Sequence, residues 1–186
     1  MLRYARGELQ AFEMLYARHR GVLYRYLLRH LHDAEAAADL FQEVWSKVIA
    51  HRARYEPRAK FRTYLFHIAH NCCMDHHRRA AVRPQSAAIP ETSLDDDPCA
   101  QLPAPERDLP EEHAARAQLA ARYRLALATL PREQRDVFLL CEQSGLTLEE
   151  VAAITGVGTE TAKSRLRYAL AKLRRALSPP LGEPEP

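Results

Sequence analysis

Apolar residues recur every three or four positions along most of the chain, a spacing that predicts α-helices. Three such stretches fill the N-terminal part, over about residues 8–30, 34–51 and 61–79. Asp33 precedes the second stretch and is suited to cap it, and Pro57 separates the second from the third. Neither a two-residue alternation nor an Asn-Gly turn appears, so no strands are expected. The pattern predicts an all-α fold.

Helical spacing returns in the C-terminal part. A stretch over about 111–129 is predicted to turn four side chains inward: Leu119, Tyr123, Ala126 and Leu127. Pro131 is suited to the first turn of the next helix, which Gly145 closes. Val137, Phe138 and Cys141 are expected to be buried there.

The next segment has the pattern of a helix-turn-helix. Thr147 and Glu150 form a capping box, in which the threonine oxygen accepts from the third amide and the glutamate reaches back. A short helix over 148–155 follows, then a turn at Gly156, then a last helix over 159–177. An apolar stripe from Ala162 to Leu177 predicts that one side of the last helix is buried. Its opposite side is polar and partly basic, as reading of the DNA major groove requires.

The segment between the two helical parts has a different composition. Residues 84–110 contain six of the 12 prolines and no glycine, and residues 84–112 contain eight acidic residues against one basic residue. Such a segment favours an extended path and does not bury enough apolar surface to fold alone. We expect two small helical domains, over 1–80 and 111–178, joined by an acidic proline-rich linker over 81–110. Residues 179–186 are expected to be a disordered tail.

Charge and cysteine content narrow the function classes. The net charge is only +3, but basic residues concentrate at 76–79 and 163–175, which favours two nucleic-acid-binding modules. The four cysteines have no disulfide-framework spacing, so free thiols in the cytoplasm are expected. No apolar run is long enough for a transmembrane helix, and the N-terminus lacks the apolar core of a signal peptide.

Several segments resemble the extracytoplasmic-function (ECF) family of RNA polymerase sigma factors. Region 2 of that family is matched by AFEMLYARHRGVLYRYLLRHL, DAEAAADLFQEVWSKVI and FRTYLFHIAHNCCMDHHRR, and region 4 by LPREQRDVFLLCEQSGLTLEEVAAITGVGTETAKSRLRYALAKLRR. The resemblance covers about Gly7–Arg79 and Leu119–Leu177. It implies a non-enzymatic subunit that directs core polymerase to promoters and helps open the −10 region, without a cofactor.

The resemblance also implies roles for individual residues of region 2. The clamp helices of the polymerase β′ subunit would be bound by Asp39, Phe41, Gln42 and Glu43. The −10 element would be bound by Arg58, Lys60, Tyr64, His67, Asn71, Arg78 and Arg79. An aromatic ring can stack on an unpaired base, and a base captured in this way offsets the cost of unpairing. The family usually has Trp where Tyr64 stands.

Region 4 would bind the −35 element and the β flap. The residues implied for the −35 contact are Thr159, Thr161, Lys163, Ser164, Arg165, Arg167 and Tyr168. The start of the last helix, TETAK, departs from the commonest family pattern, so no particular −35 sequence is predicted. By resemblance the linker threads toward the active-centre cleft, and an anti-sigma factor is a further possible partner.

Three alternatives stay open at this stage. A stand-alone LuxR-like regulator would have a similar C-terminal domain. It would also need a sensor or receiver domain, which is normally α/β, and the N-terminal half has no strand pattern. An enzyme is not favoured, since no P-loop, nucleophile elbow or paired-acid pocket is present. His70, Cys73 and His77 have a spacing suited to metal ligands, but a single helix presents ligands in a line. We therefore expect no metal, with the histidines facing DNA or solvent and Cys72 in the core.

Overall fold

A computed structural model describes residues 1–82 and 110–178. All regular elements of these two ranges are helical. The N-terminal domain contains α1 (Leu2–Ala5), α2 (Leu9–Leu31), α3 (Ala34–Ala50) and α4 (Phe61–Val82), with a short 3₁₀ turn at Arg52–Arg54. The C-terminal domain contains α5 (Pro110–Ala128), α6 (Arg132–Glu142), α7 (Leu148–Thr155) and α8 (Thr159–Leu177). The all-α, two-domain prediction is confirmed, while the predictions for residues 83–109, which include Cys99, and for 179–186 lie outside the described residues.

The N-terminal domain is a bundle in which α2, α3 and α4 pack against one another. Leu27, Val44 and Leu65 are fully buried at its centre, one from each helix. Asp33 caps α3 as predicted, because its Oδ1 atom accepts from the amides of Glu35 (2.9 Å) and Ala36 (3.3 Å). This cap fixes where the chain turns from α2 into α3.

In the C-terminal domain, α8 packs against α5, α6 and α7. The prediction that Leu119 faces inward is wrong, since 56% of its surface is exposed. The cause is the end of α8: Arg122 donates to the carbonyl of Leu177 at 3.0 Å, so the part of α5 that precedes Arg122, including Leu119, extends beyond the last turn of α8. Cys141 is half-buried rather than buried.

The two domains are in direct contact. Helix α2 packs against α6, and α4 packs against α7. No helix in the described ranges has the length and apolar content that a membrane crossing needs.

Candidate nucleic-acid and polymerase interfaces

Local sequence fixes the helix-turn-helix. Thr147 Oγ1 accepts from the amide of Glu150 at 3.3 Å, and Glu150 Oε2 accepts from the amide of Thr147 at 2.9 Å, so the predicted capping box is present. Gly156 ends α7 with φ of +68°, a left-handed conformation that favours glycine. Ala152 and Ala162 are buried where the two helices meet. Small residues at this crossing let α8 lie close to α7 and project its far side outward.

The outward side of α8 is polar and basic. Of the predicted −35 contacts, Ser164 and Arg165 are half-buried and five are exposed: Thr159, Thr161, Lys163, Arg167 and Tyr168. The guanidinium of Arg167 lies 5.1 Å from the ring centre of Tyr168, and Lys163 lies 3.7 Å from Glu160. These are weak surface interactions, so both cations can exchange them for DNA groups at little cost. Such a face can donate to base edges in the major groove.

A second polar surface follows α4. His67, Asn71, Arg78 and Arg79 are exposed along this helix, and Arg58 and Lys60 are exposed just before it. Two of these cations have local carboxylate partners: Arg58 lies 2.6 Å from Glu56 and Arg78 lies 3.1 Å from Asp75. Six of the seven predicted −10 residues are therefore accessible in this structure.

Tyr64 is less accessible than the other predicted −10 residues. Its ring is half-buried and meets the Tyr55 ring edge-on, with centroids 5.1 Å apart. Burial raises the pKa of the Tyr64 phenol, with Tyr55 acting in the same direction, so it stays neutral. Phe66, in contrast, is fully buried and packs edge-on against Tyr26 at 5.3 Å, as expected of a core residue.

The predicted polymerase-docking residues divide into two groups. Asp39 and Gln42 are exposed on one face of α3, and Glu43 is half-exposed beside them. Glu43 forms an ion pair with Lys47 at 2.7 Å. Phe41 instead contacts an aromatic cluster, with its ring 6.1 Å from Tyr16 and 5.9 Å from Tyr24. The predicted docking face on α3 is therefore an acidic and amide strip, and Phe41 packs behind it on the core side.

Polar residues that were not identified from the sequence join the two domains. His30 Nε2 lies 2.6 Å from Asp136 Oδ1, and both side chains are buried. Arg135 lies 3.0 Å from the ring of His32. A buried Asp on an apolar helix face, as at position 136, is the one sequence signal that could have pointed to this junction.

The contact between the domains extends to the surface predicted to bind the −10 element. Thr63 donates from its hydroxyl to Glu150 Oε1 at 2.7 Å, and so links α4 to α7. The amide of Thr147 and this hydroxyl together lower the pKa of Glu150. A cleft of about 490 Å³ lies beside this contact, between Tyr64 and His67 on one wall and Ile154 on the other. The described arrangement thus places α7 directly beside the side chains predicted to capture −10 bases.

The histidines of α4 do not all face outward. His67 is exposed, but His70 is only 5% exposed, and His76 and His77 are half-buried. The expectation that these histidines face DNA or solvent is wrong for His70, because α4 is covered there by α2 and by the other domain. Cys72 is buried, as expected.

These features define a class: an all-helical protein of two domains with a helix-turn-helix that presents a basic reading helix. Family models match as Sigma-70 region 2 over residues 15–83 and Sigma-70 region 4 over residues 126–175. The chain is 31% identical to RNA polymerase sigma factor CarQ of Myxococcus xanthus, over 95% of each protein. It is also 31% identical to ECF RNA polymerase sigma factor SigL of Mycobacterium tuberculosis, over 93% of this chain and 92% of the relative.

Solved structures show the same fold. CnrH in complex with the cytosolic domain of CnrY superposes with a TM-score of 0.67 at 24% identity, over 94% of this chain and 92% of the other. The sigma factor RpoE of Bartonella quintana, in complex with the anti-sigma factor NepR, superposes with a TM-score of 0.66 at 23% identity, over 90% of this chain and 97% of the other. The chain belongs to the ECF family of RNA polymerase sigma factors. Promoter-specific transcription initiation is therefore its function, as the family resemblance predicted.

Proposed function

We propose that this chain acts in the cytoplasm as a non-enzymatic specificity subunit, binding core polymerase through α3 and promoter DNA through α4 and α8. The observation that carries the proposal is that one chain exposes two surfaces of opposite chemistry. Asp39 and Gln42 form an acidic and amide strip on α3, whereas Lys163 and Arg167 lie on the basic face of α8. A stand-alone DNA-binding regulator has no need of the first surface.

Residues 1–80 serve as the domain for core polymerase and the −10 element. Charged strips such as the one on α3 orient a partner and raise the rate of association. We assign this strip to the β′ clamp helices, with Asp39, Gln42 and Glu43 in contact and Phe41 in support. The polar surface of α4 and of the loop before it then receives the −10 strand, through Arg58, Lys60, Tyr64, His67, Asn71, Arg78 and Arg79.

Tyr64 and Asn71 suit the opening of the −10 region. A neutral, half-buried ring offers a stacking face to an unpaired base, and an exposed amide offers hydrogen bonds to base edges. Energy from these contacts offsets unpairing, so no nucleotide hydrolysis is needed. The exposed cations Arg78 and Arg79 hold phosphates, which position the strand without specifying its sequence.

Residues 111–178 serve as the −35 domain. Direct reading is assigned to the exposed face of α8, with Lys163 and Arg167 as the cationic donors. Further along α8, Lys172, Arg174 and Arg175 are exposed and suit phosphate contacts. The β flap is the polymerase partner of this domain.

The two domains must separate for both promoter elements to be bound together. The −35 and −10 positions are about 25 base pairs apart, or about 85 Å along the duplex at ~3.4 Å per base pair. In the described arrangement, the −10 surface and the helix-turn-helix share one cleft, with Thr63 and Glu150 in contact. We propose that this is a closed form of the free protein, and that polymerase holds the domains apart. Because two solved relatives are complexes with CnrY and with the anti-sigma factor NepR, an anti-sigma partner is proposed here too.

A binding titration tests the docking surface. The protein is labelled fluorescently and titrated with bacterial core polymerase, with Asp39→Arg, Glu43→Arg as the test double variant. A Glu13→Arg, Glu142→Arg double variant changes the net charge equally at exposed sites elsewhere and is the matched control. We expect tight binding by wild type and control, and a loss of at least tenfold in the test variant. Equal binding by all three proteins would place the docking surface elsewhere than on α3. The proposal would be contradicted if the wild-type protein did not bind core polymerase but did bind duplex DNA sequence-specifically without it.

A further inference from the structure

Three buried side chains from three helices bring potential metal ligands together at the domain junction. His30 of α2, His70 of α4 and Asp136 of α6 each offer one ligand atom, and these atoms all lie within 4.8 Å of one another. All three side chains are buried. We call these residues the junction triad. His30 and His70 belong to the N-terminal domain and Asp136 to the C-terminal domain, so the triad exists only while the domains are in contact.

We propose that the junction triad is a binding site for a divalent transition cation, with Zn²⁺ as the best match, and that the bound cation holds the two domains closed. Imidazole nitrogen and carboxylate oxygen are the donor types that Zn²⁺ prefers. Ligand atoms around a tetrahedral zinc ion lie about 3.3 Å apart, given bonds of about 2.0–2.1 Å. Shifts of about an ångström therefore bring the triad to that geometry.

The hydrogen bonds around His30 suit the replacement of a proton on Nε2 by a cation. Without a cation, the proton between His30 Nε2 and Asp136 Oδ1 joins the two atoms at 2.6 Å. A cation can bind Nε2 only when that atom carries no proton, so the one proton of a neutral His30 ring then resides on Nδ1. His77 Nε2 lies 3.3 Å from that Nδ1 atom and can accept it. A ligating histidine normally has such a second partner, which fixes its orientation.

His70 supplies an independent reason to expect a ligand. Its Nδ1 atom is buried and has no hydrogen-bond partner among the described residues. A buried polar atom without a partner is costly and requires explanation.

Nearby positive charge limits the affinity. Arg132 lies one turn before Asp136 on α6, so its guanidinium charge is on the same side of that helix as the carboxylate. It is oriented toward Met74, with Nη2 2.6 Å from the sulfur atom, rather than toward the carboxylate. We expect binding in the micromolar range rather than the tighter binding of a structural zinc site.

The consequence for regulation rests on the proposed function. A ligand that binds only the closed arrangement shifts the population toward it. The closed arrangement places α7 beside Tyr64 and His67 and prevents simultaneous binding of both promoter elements. Zn²⁺ at saturation is therefore expected to weaken binding to core polymerase.

The test begins with the full chain alone, untagged and freed of metal with a chelator. Co²⁺ is titrated in as a spectroscopic probe, since a tetrahedral site gives an intense visible absorption band. We expect one Co²⁺ per chain, displaced by Zn²⁺. Asp136→Asn and His70→Gln are each expected to weaken binding at least tenfold, whereas His51→Gln, at an exposed histidine, leaves it unchanged. Because asparagine keeps an acceptor for His30, Asp136→Asn should remain folded, as circular dichroism checks.

Two outcomes overturn the site: no Co²⁺ bound at micromolar concentration, or binding that both triad variants leave unchanged. Zn²⁺ should also raise the thermal unfolding midpoint of wild type and of His51→Gln, but not of the triad variants. Core-polymerase binding with and without Zn²⁺ is measured last. Binding of Co²⁺ without any binding to polymerase would contradict the proposed function but not the metal site. Binding to polymerase without binding of Co²⁺ would contradict the metal site but not the proposed function.

Discussion

His30 and Asp136 are 106 residues apart in the chain, yet His30 Nε2 lies 2.6 Å from Asp136 Oδ1 in a buried contact between the domains. Burial alone would raise the pKa of Asp136, but the hydrogen bond from His30 and neighbouring positive charge outweigh it, so the carboxyl pKa is lowered. The pair joins α2 to α6, and its loss should loosen the closed arrangement.

Asp136→Ala is expected to lower the free energy of unfolding by about 1–3 kcal/mol, because it leaves a buried histidine nitrogen without its acceptor. Asp136→Asn keeps an acceptor oxygen and should cost clearly less. Urea unfolding in a chelating buffer measures both. Equal stability of the alanine variant and wild type would show that the contact contributes nothing to folding.

The histidine at position 19 should make stability pH-dependent. His19 is buried against Phe61, at a ring distance of 5.3 Å. Burial first, then the charges of Arg62 and Arg18, lower its pKa from 6.5 to about 4. Below pH 6.5 the unfolded chain binds a proton that the folded chain excludes until about pH 4, so stability falls as the pH falls through this range.

From this site we expect wild type to lose about 2 kcal/mol between pH 7 and pH 5. His19→Leu should lose less over the same range, and His51→Gln, at an exposed histidine, should lose as much as wild type. Urea unfolding at pH 7 and pH 5 measures the difference. Identical pH dependence in His19→Leu and wild type would show that His19 is not the group responsible.

Two cations on α8 are expected to behave differently on promoter DNA. Arg167→Ala should cost about 1–3 kcal/mol and relax specificity at one base position, since it removes a base-edge donor. Lys172→Ala, on the same helix, should weaken binding uniformly across sequences and reduce the salt slope by about 1. Both effects are measured by binding the holoenzyme, at several salt concentrations, to a pool of promoter DNA whose −35 region is randomised. A uniform loss in Arg167→Ala would assign that residue to phosphate instead.

Tyr64 is expected to act through its ring. Tyr64→Ala should weaken binding of the holoenzyme to a single strand carrying its −10 sequence by about 1–3 kcal/mol, the value typical of stacking on one base. Tyr64→Phe keeps the ring and should retain most of the binding. Equal losses in both variants would show that the hydroxyl, rather than stacking, matters, and urea unfolding of each variant controls for loss of the packing against Tyr55.

How much the sequence predicted depended on how local each signal was. The cap at Asp33, the capping box at Thr147 and Glu150, and the turn at Gly156 all lie where they were predicted. Each is set by hydrogen bonds or backbone conformation within a few residues. The helix-turn-helix and its exposed reading face follow from them together with the helical period.

Burial at helix ends was less predictable. Leu119 continues the apolar period of α5 but is exposed, because α8 ends beside Arg122. Periodicity shows which residues share a face, but the length of the neighbouring helix decides how much of that face is covered.

The sequence by itself determined the helical elements, the two domains and the family to which the chain belongs, because these rest on local periodicity and contiguous motifs. Only the tertiary structure decided that His30 and His70 meet Asp136 and that α7 lies beside Tyr64. Helix α4 alone presents its histidines in a line. The other two side chains of the junction triad come from α2 and α6, which are distant from α4 in the chain. Which side chains meet across the junction depends on how the two domains pack, and no spacing along the sequence encodes that.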